Sequence, residues 1–230
     1  MKEEYAFFYL CLCYVPIWLY VFFKRKDLRK KLIRTSIAGG IIAPFTDYFH
    51  FRDYWIPPSI IDVEYAYFED VLMGALIISV VSTIYETVFK LKLIPYRKEK
   101  KIQHTFYVMF VVSFVAVYIL TGILKINSIF VYSSIYILYA IIMLYFRRDM
   151  LRESLVTALL SWCIQLVFYI PLFTFYSPTY WRKYYLLANT KYDITFLNIP
   201  LTEMLYFVTM GLTIGIFYEF VSGKKRVSFK

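Results

Sequence analysis

The sequence predicts an all-α, polytopic membrane protein with about seven transmembrane helices. Of its 230 residues, 60% are hydrophobic, and the mean hydropathy is +0.58. A soluble domain of this length does not bury so much apolar surface, so we expect most of it to face lipid. The net charge of +10 comes from short basic clusters between apolar runs. A nucleic-acid-binding protein would instead carry one basic patch, so no nucleic-acid partner is expected.

Seven apolar segments approach the length of about 20 residues that a helix needs to cross the hydrocarbon layer. They cover roughly 5–23, 35–49, 65–89, 105–124, 129–146, 155–175 and 198–221. The second is the weakest, because it is short, contains Gly39, Gly40 and Pro44, and carries Asp47. The first is too long for a signal peptide and has its charges after the apolar stretch, so we interpret it as a retained span.

The basic residues predict the orientation. Clusters at 24–34, 90–101, 147–152 and 224–230 hold 20 of the 26 Lys and Arg residues and fall in alternate loops. The positive-inside rule therefore places these loops and the C-terminus in the cytoplasm, with the N-terminus outside a cell membrane that the chain crosses many times.

Several kinds of site are disfavoured. The three cysteines lie inside predicted spans, and only two histidines occur, so neither disulfides nor a metal centre are expected. No glycine-rich fingerprint for flavin, nicotinamide or ATP occurs, and no cofactor is predicted. The Asp-rich motif of magnesium-dependent prenyl transfer is missing. The last segment also lacks the lysine that retinal would need for a Schiff base.

An internal repeat appears at an offset of 133 positions. The stretch EDVLMGALIISVVSTIYETV from Glu69 aligns with TEMLYFVTMGLTIGIFYEFV from Thr202, so that Asp70 meets Glu203 and Glu86 meets Glu219. Acidic residues inside spans are rare, which makes their repetition informative. We predict two three-helix units, 1–104 (with its basic loop) and 129–230, joined by a linking helix at 105–128. Four crossings separate the copies, so the repeat is parallel, and a site is expected in the cleft between the units.

The repeated carboxylates are the main candidates for chemistry. Glu69, Asp70 and Glu203 would lie about one turn below the outer interface, where a dry carboxyl group is suited to hold and donate a proton. Alternatively, they complement the helix dipole or pair with Arg52 or Arg182. Glu86 and Glu219 end their spans near Lys90 and Lys224, where anchoring is expected. Asp47 needs a partner, either a structural hydrogen bond or a catalytic one.

Aromatic residues make up 22% of the chain, and several lie in the two long outer loops, among them Tyr54, Trp55 and Trp181. Interfacial belts explain most Tyr and Trp in membrane proteins. The more specific interpretation is a wall of rings that stabilises a carbocation or sandwiches a flat polyene. Gly211 and Gly215 form a GxxxG pattern, which predicts close helix packing.

Four short motifs resemble the membrane lycopene cyclase family, the type without flavin that occurs as two small subunits or as one fused chain. They are NIPLTEMLYF at 198–207, YFED at 67–70, RRDMLRESL at 147–155 and FTDYF at 45–49. The first looks like that family's Pro-x-Glu-Glu/Asp motif followed by aromatics. Thr202 stands where the first acid is expected, and Tyr67 replaces the proline of the other copy, so neither copy is complete.

The resemblance implies an intramolecular lyase or isomerase of carotenoid biosynthesis that closes a six-membered ring on a linear end group without redox change. It implies that Glu203 and Asp70 are the acid and the base, in either order, and that Glu69 tunes their pKa. It also implies substrate contacts from Asp47, Tyr54, Trp55, Trp181, Pro200, Tyr206 and Phe207. The expected partners are membrane lipid and a hydrophobic polyene or isoprenoid, with a homodimer or an assembly with other carotenoid enzymes also compatible.

Two other functions compete with this one. A non-enzymatic carrier or binding subunit for a small hydrophobic molecule could use the same cleft, and it would tolerate the loss of one carboxylate. A structural or assembly protein would use the acids only to bridge helices, and it would be destabilised when they become amides.

Overall fold

The computed structural model describes residues 5–60, 67–96 and 100–229, with the backbone alone at 100–103. The beginning of the third predicted segment (65–66), part of the second basic cluster (97–99) and Lys230 lie outside these residues. The helices are α1 (Ala6–Lys24), α2 (Arg29–Asp53), α3 (Phe68–Val88), α4 (Lys100–Val117), α5 (Ser128–Phe146), α6 (Leu151–Ile170), α7 (Tyr180–Tyr184) and α8 (Leu201–Ser222). Short π-helical stretches extend α4 over Tyr118–Ile123 and α6 over Pro171–Tyr176, and a 3₁₀ turn at Arg148–Met150 precedes α6.

Among the described residues, six helices are long and apolar enough to cross a membrane. They are Ala6–Lys24, Phe68–Val88, His104–Ile123, Ser128–Phe146, Arg148–Tyr176 and Leu201–Ser222. The predicted all-α membrane protein is therefore confirmed. The remaining predicted segment, 35–49, lies in α2, which is long enough but is not one of the six. Its flanking basic residues and Asp47 lower its hydropathy.

The helices pack as two groups that meet along α3 and α8. In the first group α3 packs against α1 and α2, and in the second α8 packs against α5 and α6. Glycines allow the closest approaches: a Cβ on Gly39 of α2 would lie 2.2 Å from the carbonyl oxygen of Gly74 on α3. A Cβ on Gly211 would lie 2.7 Å from the Cα of Ala158, which is the close packing that the GxxxG pattern predicts.

Two strands close one end of the bundle. β1 (Leu91–Pro95) follows α3, β4 (Lys224–Ser228) follows α8, and they pair antiparallel with Leu93 opposite Arg226. A second short ladder joins β2 (Thr195–Phe196) to β3 (Ile199–Pro200). Since β1 and β4 meet, α3 and α8 end at the same end of the bundle and run in the same direction. We call this the basic end, because Arg25, Arg147 and β4 meet there.

A buried charge cluster lies just inside the basic end and consists of Lys31, Glu86, Glu219 and Arg226. The Nζ of Lys31 lies 2.6 Å from Glu86 and 2.7 Å from Glu219, and Arg226 contacts the same two carboxylates at 3.0 and 2.9 Å. Arg226 also pairs with Glu153. Burial by itself lowers the pKa of Arg226, but the surrounding carboxylates outweigh this effect and raise it.

The partners of Glu86 and Glu219 differ from those expected. Helical spacing pointed to Lys90 and Lys224, but the carboxylates turn into the bundle, where Lys31 of α2 and Arg226 of β4 meet them. The expectation of nearby partners was wrong because Arg226 returns to the bundle only when β4 folds back onto β1. These acids join helices inside the bundle, whereas anchoring beside the basic loops was expected.

Candidate functional site

An apolar cavity of about 540 Å³ lies between α2, α3, α5 and α8, with α4 along one side. Three carboxyl groups line it: Asp47, Asp70 and Glu203. His50 lines it too, and no lysine or arginine does within the part of the chain that the structure describes. A cavity of this size is typical of small-molecule sites. The structure therefore places the two repeated acids, Asp70 and Glu203, at the wall of one apolar cavity.

Glu203 lies in the first turn of α8, with 6% of its surface exposed. The hydroxyl of Tyr54 donates a 2.9 Å hydrogen bond to its Oε1, and that of Tyr169 donates to Oε2 at 3.5 Å. Thr202, at the position where the family motif has an acid, shares its hydroxyl with Tyr54 and Tyr185, at 3.1 Å each. Two phenols, one from the residue that follows α2 and one from α6, therefore fix the carboxyl group of Glu203 at the cavity wall.

Asp70 lies in the first turn of α3 and is 1% exposed. Its Oδ2 accepts the backbone N–H of Tyr67 at 3.2 Å, which caps the helix. Its Oδ1 is buried and has no hydrogen-bond partner among the described residues. A buried carboxyl oxygen without a partner is costly unless it carries a proton or meets a bound group. Oδ2 of Asp70 thus caps the helix, while Oδ1 is available to exchange a proton or to contact a bound molecule.

Glu69 has a different environment, although it is the neighbour of Asp70. It is buried, but it does not line the cavity. Its carboxylate accepts the hydroxyl of Ser59 at 2.7 Å and the backbone N–H of Ile60 at 2.6 Å. Successive helical residues point about 100° apart, so adjacent acids reach different surroundings. Glu69 therefore holds the chain that follows α2. Sequence analysis instead expected Glu69 to tune the pKa of Asp70 and Glu203.

Asp47, His50 and Tyr54 line the cavity together from α2 and the residue that follows it. Their spacing of three and four positions places them on one face of the helix. Sequence analysis named Asp47 and Tyr54 separately and missed His50, although this spacing could have identified all three. Tyr169 was also missed, because nothing distinguishes it from the many other aromatic residues in the spans.

The aromatic wall is partly as expected. Trp55, Tyr206 and Phe207 line the cavity, while Trp181 lies behind it, with its ring 5.8 Å from that of Trp55. Pro200 precedes α8 and pairs with Thr195 in the short ladder, so it sets where the helix begins and is not part of the wall. We call this end, with Trp55, Trp181 and Tyr185, the aromatic end.

The alternative partners considered for the acids are not observed. In the described part of the chain neither Arg52 nor Arg182 forms a salt bridge with Asp70 or Glu203, and Arg52 instead lies 3.8 Å from the ring centre of Tyr48. Across the same residues, no three His, Cys, Asp or Glu side chains come close enough together to hold a metal ion. The cavity acids are therefore surrounded by phenols and apolar groups.

Comparison with known proteins relates most of the second half of the chain to a known family. The family model described as lycopene cyclase matches residues 127–221, which span α5 to α8 and include Glu203, Tyr206 and Phe207. No curated protein and no solved structure matches the chain. Asp47 and Asp70 lie outside the matched segment. The resemblance to the lycopene cyclase family that the short motifs predicted is confirmed for residues 127–221, which match the model of that family.

Proposed function

We propose that this protein closes a six-membered ring on a linear carotenoid end group by carboxylate acid/base catalysis, without redox change. It would thus be an intramolecular lyase or isomerase of carotenoid biosynthesis. The observation that carries the proposal is that Asp70 and Glu203, from α3 and α8, line one apolar cavity. The lycopene cyclase match over 127–221 supports the substrate class.

The proposed chemistry needs one acid and one base in the same dry space. A carboxylic acid protonates the terminal double bond and so forms a tertiary cation. A neighbouring double bond attacks this cation, which closes the ring and moves the positive charge to a ring carbon. A carboxylate then removes a proton from the carbon next to that charge. The product is an isomer of the substrate, so no electrons or atoms are gained. Water would trap the cation, which makes apolar walls necessary. Trp55 and Tyr206 would present ring faces that stabilise positive charge.

We assign the acid and base roles to Glu203 and Asp70 as a pair. Tyr54 and Tyr169 hold Glu203, and the unpartnered Oδ1 of Asp70 is available to a substrate. Asp47 is the third carboxyl group at the wall. Glu69 is left out of the pair, since its carboxylate is occupied by Ser59 and Ile60.

The proposal is tested in cells that accumulate lycopene, by separating the pigments and recording their spectra. We expect monocyclic or bicyclic products from the natural chain, and a loss of about 10²-fold or more in Glu203→Gln and Asp70→Asn. Asp193→Asn is the matched control, because it makes the same chemical change on an exposed loop residue that accepts the N–H of Asn189. Full activity in both cavity variants would refute the assignment.

A carrier or binding subunit is the second candidate, and the incomplete motifs at Thr202 and Tyr67 favour it. Such a protein would copurify with unchanged polyene, and Glu203→Gln would only weaken that association. Unchanged lycopene in the cells, together with copurified pigment, would support the carrier. Cyclic products would exclude it as the sole function.

We also propose that the basic end is cytoplasmic, with the N-terminus outside. The positive-inside rule supports this, because clusters from 24–34, 147–152 and 224–230 meet at that end. In a chain with Cys11, Cys13 and Cys163 replaced, an impermeant maleimide applied to intact cells should label Asn189→Cys and not Ser228→Cys. The reverse labelling would invert the topology.

The division into units 1–104 and 129–230, joined by 105–128, is part of the same proposal. Leu93 and Arg226, which face each other in the β1–β4 ladder, are separated by the repeat offset of 133 and so support it. Membrane lipid surrounds the bundle in this proposal, and a homodimer or an assembly with other carotenoid enzymes is compatible with it.

A further inference from the structure

A chain of short hydrogen bonds leads from the cavity to the surface at the aromatic end. The Nδ1 of His50 lies 2.7 Å from the hydroxyl oxygen of Ser128, and that hydroxyl donates to Asp53 Oδ1 at 2.6 Å. The backbone N–H of Ser128 donates to Asp53 Oδ2 at 2.8 Å. The last residue of α2 is thereby held against the first residue of α5.

The two ends of this chain face different spaces. His50 is 6% exposed and lines the 540 Å³ cavity, while Asp53 lines a separate recess of about 150 Å³. The exposed residues Arg52 and Lys125 share the wall of the recess, so water reaches it. Burial raises the pKa of Asp53 above its ordinary value, although the hydrogen bonds from Ser128 oppose the shift.

Counting protons fixes the direction of each bond. The Ser128 hydroxyl has one proton and gives it to Asp53, so Nδ1 of His50 must be the donor to the Ser128 oxygen. A neutral imidazole with a proton on Nδ1 has a lone pair on Nε2. Nε2 has no hydrogen-bond partner among the described residues, and the rings of Tyr54, Tyr132 and Tyr206 surround the imidazole. A proton from the cavity can thus enter at Nε2 as the Nδ1 proton leaves toward Ser128.

We propose that His50, Ser128 and Asp53 form a proton relay between the cavity and the water of the outer recess. Outward transfer adds a proton at Nε2, moves the Nδ1 proton to the Ser128 oxygen and moves the serine proton to Asp53 Oδ1. The reverse sequence returns one proton to the cavity, so none is consumed. In a hydrolase triad the imidazole lies between serine and carboxylate, whereas here the serine is central and is not activated as a nucleophile.

The relay would serve the proposed function, on which this role depends. Ring closure leaves one cavity carboxyl group short of a proton and the other with one too many. Among the described residues no lysine or arginine lines the cavity with Asp70 and Glu203, so these two carboxyl groups need another route by which their starting protonation states are restored. A relay that exchanges protons with water through His50 supplies that route, whichever of the two carboxyl groups is the acid.

The first test needs no catalysis, because the chain has only two histidines. In a His104→Gln background, ¹⁵N-labelled histidine reports on His50 alone. We expect the tautomer with the proton on Nδ1, and we expect Ser128→Ala to abolish that preference. Ser133→Ala is the matched control, because Ser133 is a buried serine of α5 whose hydroxyl has no partner among the described residues. A dominant Nε2–H tautomer, or no change in Ser128→Ala, would overturn the relay.

The second test follows deuterium during many turnovers in D₂O. With the relay intact, each closed ring should carry about one deuterium, because the acid is reloaded from water. Without the relay, the proton that one substrate loses is passed on to the next substrate. The deuterium content of each closed ring should then fall to less than about half of the value with the relay intact. Asp53→Asn should act like Ser128→Ala, and its amide oxygen can still accept one hydrogen bond from Ser128, which guards against a folding defect.

The two tests separate the relay from the cyclisation. Equal deuterium content in the natural chain and in both variants would overturn the relay even if the rings form. If the natural chain forms no cyclic product, the proposed function fails, and the tautomer measurement still decides whether the relay exists.

Discussion

Tyr54 and Glu203 are 149 positions apart in the sequence, yet their side chains share a 2.9 Å hydrogen bond. The bond joins the end of α2 to the first turn of α8, across the boundary between the two helix groups. The position of Glu203 at the cavity wall therefore depends on the first half of the chain, which lies outside the region matched to lycopene cyclase.

Removing this hydroxyl should slow catalysis and leave the fold intact. For Tyr54→Phe we expect turnover to fall about 10-fold or more, because a hydrogen bond to a charged group contributes about 1.5–3 kcal/mol. The measurement is the initial rate of cyclic pigment formation at equal amounts of inserted protein. Tyr145→Phe, at a tyrosine that is 73% exposed, is the control. An unchanged rate in Tyr54→Phe would show that Tyr169 alone positions the carboxyl group.

The buried charge cluster should be sensitive to the loss of its lysine. Lys31→Met leaves Glu86 and Glu219 with Arg226 as their remaining cationic partner among the described residues, and breaking a buried pair typically costs about 3–5 kcal/mol. We expect a large drop in thermal stability in detergent, measured by the loss of monodisperse protein on heating. Lys30→Met, at the exposed neighbouring position, should have little effect. Equal stability of the two variants would contradict the assigned pairing.

The contact between α2 and α3 should not admit a methyl group. In Gly39→Ala the new Cβ would lie 2.2 Å from the carbonyl oxygen of Gly74, so the two helices must separate. We expect lower yield of folded protein and a lower unfolding temperature. Gly122→Ala is the matched control, because there the Cβ would meet only the Tyr118 ring at 3.8 Å. Similar behaviour of both variants would mean that α2 moves away from α3 without penalty.

Gln165 should be replaceable with a gain in stability. It is fully buried on α6, and both polar atoms of its amide lack a hydrogen-bond partner within the described residues. Gln165→Met removes these groups while keeping the length of the side chain, and an unsatisfied buried polar group costs about 1–3 kcal/mol. A higher unfolding temperature is expected. A lower one would indicate that bound water or a substrate satisfies the amide.

The sequence was sufficient to predict the helices and to single out two acids that line the cavity, for physical reasons. A helix in lipid must be long and apolar, so hydropathy locates it. A carboxyl group inside such a helix is rare, so Asp70 and Glu203 are conspicuous. The weakness of the segment at 35–49 was also visible, because it contains Thr35, Thr46 and Asp47, which line the cavity.

The contacts of these side chains could not be predicted in the same way. Lys31 meets Glu219 and Tyr54 meets Glu203 only because the two helix groups assemble, and no local pattern encodes that meeting. Glu69 was named with Asp70 because the two fit the acidic pair of the family motif, and a rotation of about 100° per residue carries the Glu69 side chain to the loop at Ser59. His50 was overlooked because histidines were considered only as metal ligands.

The ladder between β1 and β4 also bears on how such a chain could have arisen. Its register is centred on two positions that the repeat offset makes equivalent, which is the pairing that two copies of one strand form about a two-fold axis. A single ancestral unit with this strand could therefore have dimerised through it, with one carboxylate contributed to the shared cavity by each copy. Fusion of the two genes would then have freed each half to diverge, so that His50 is found in the first half alone.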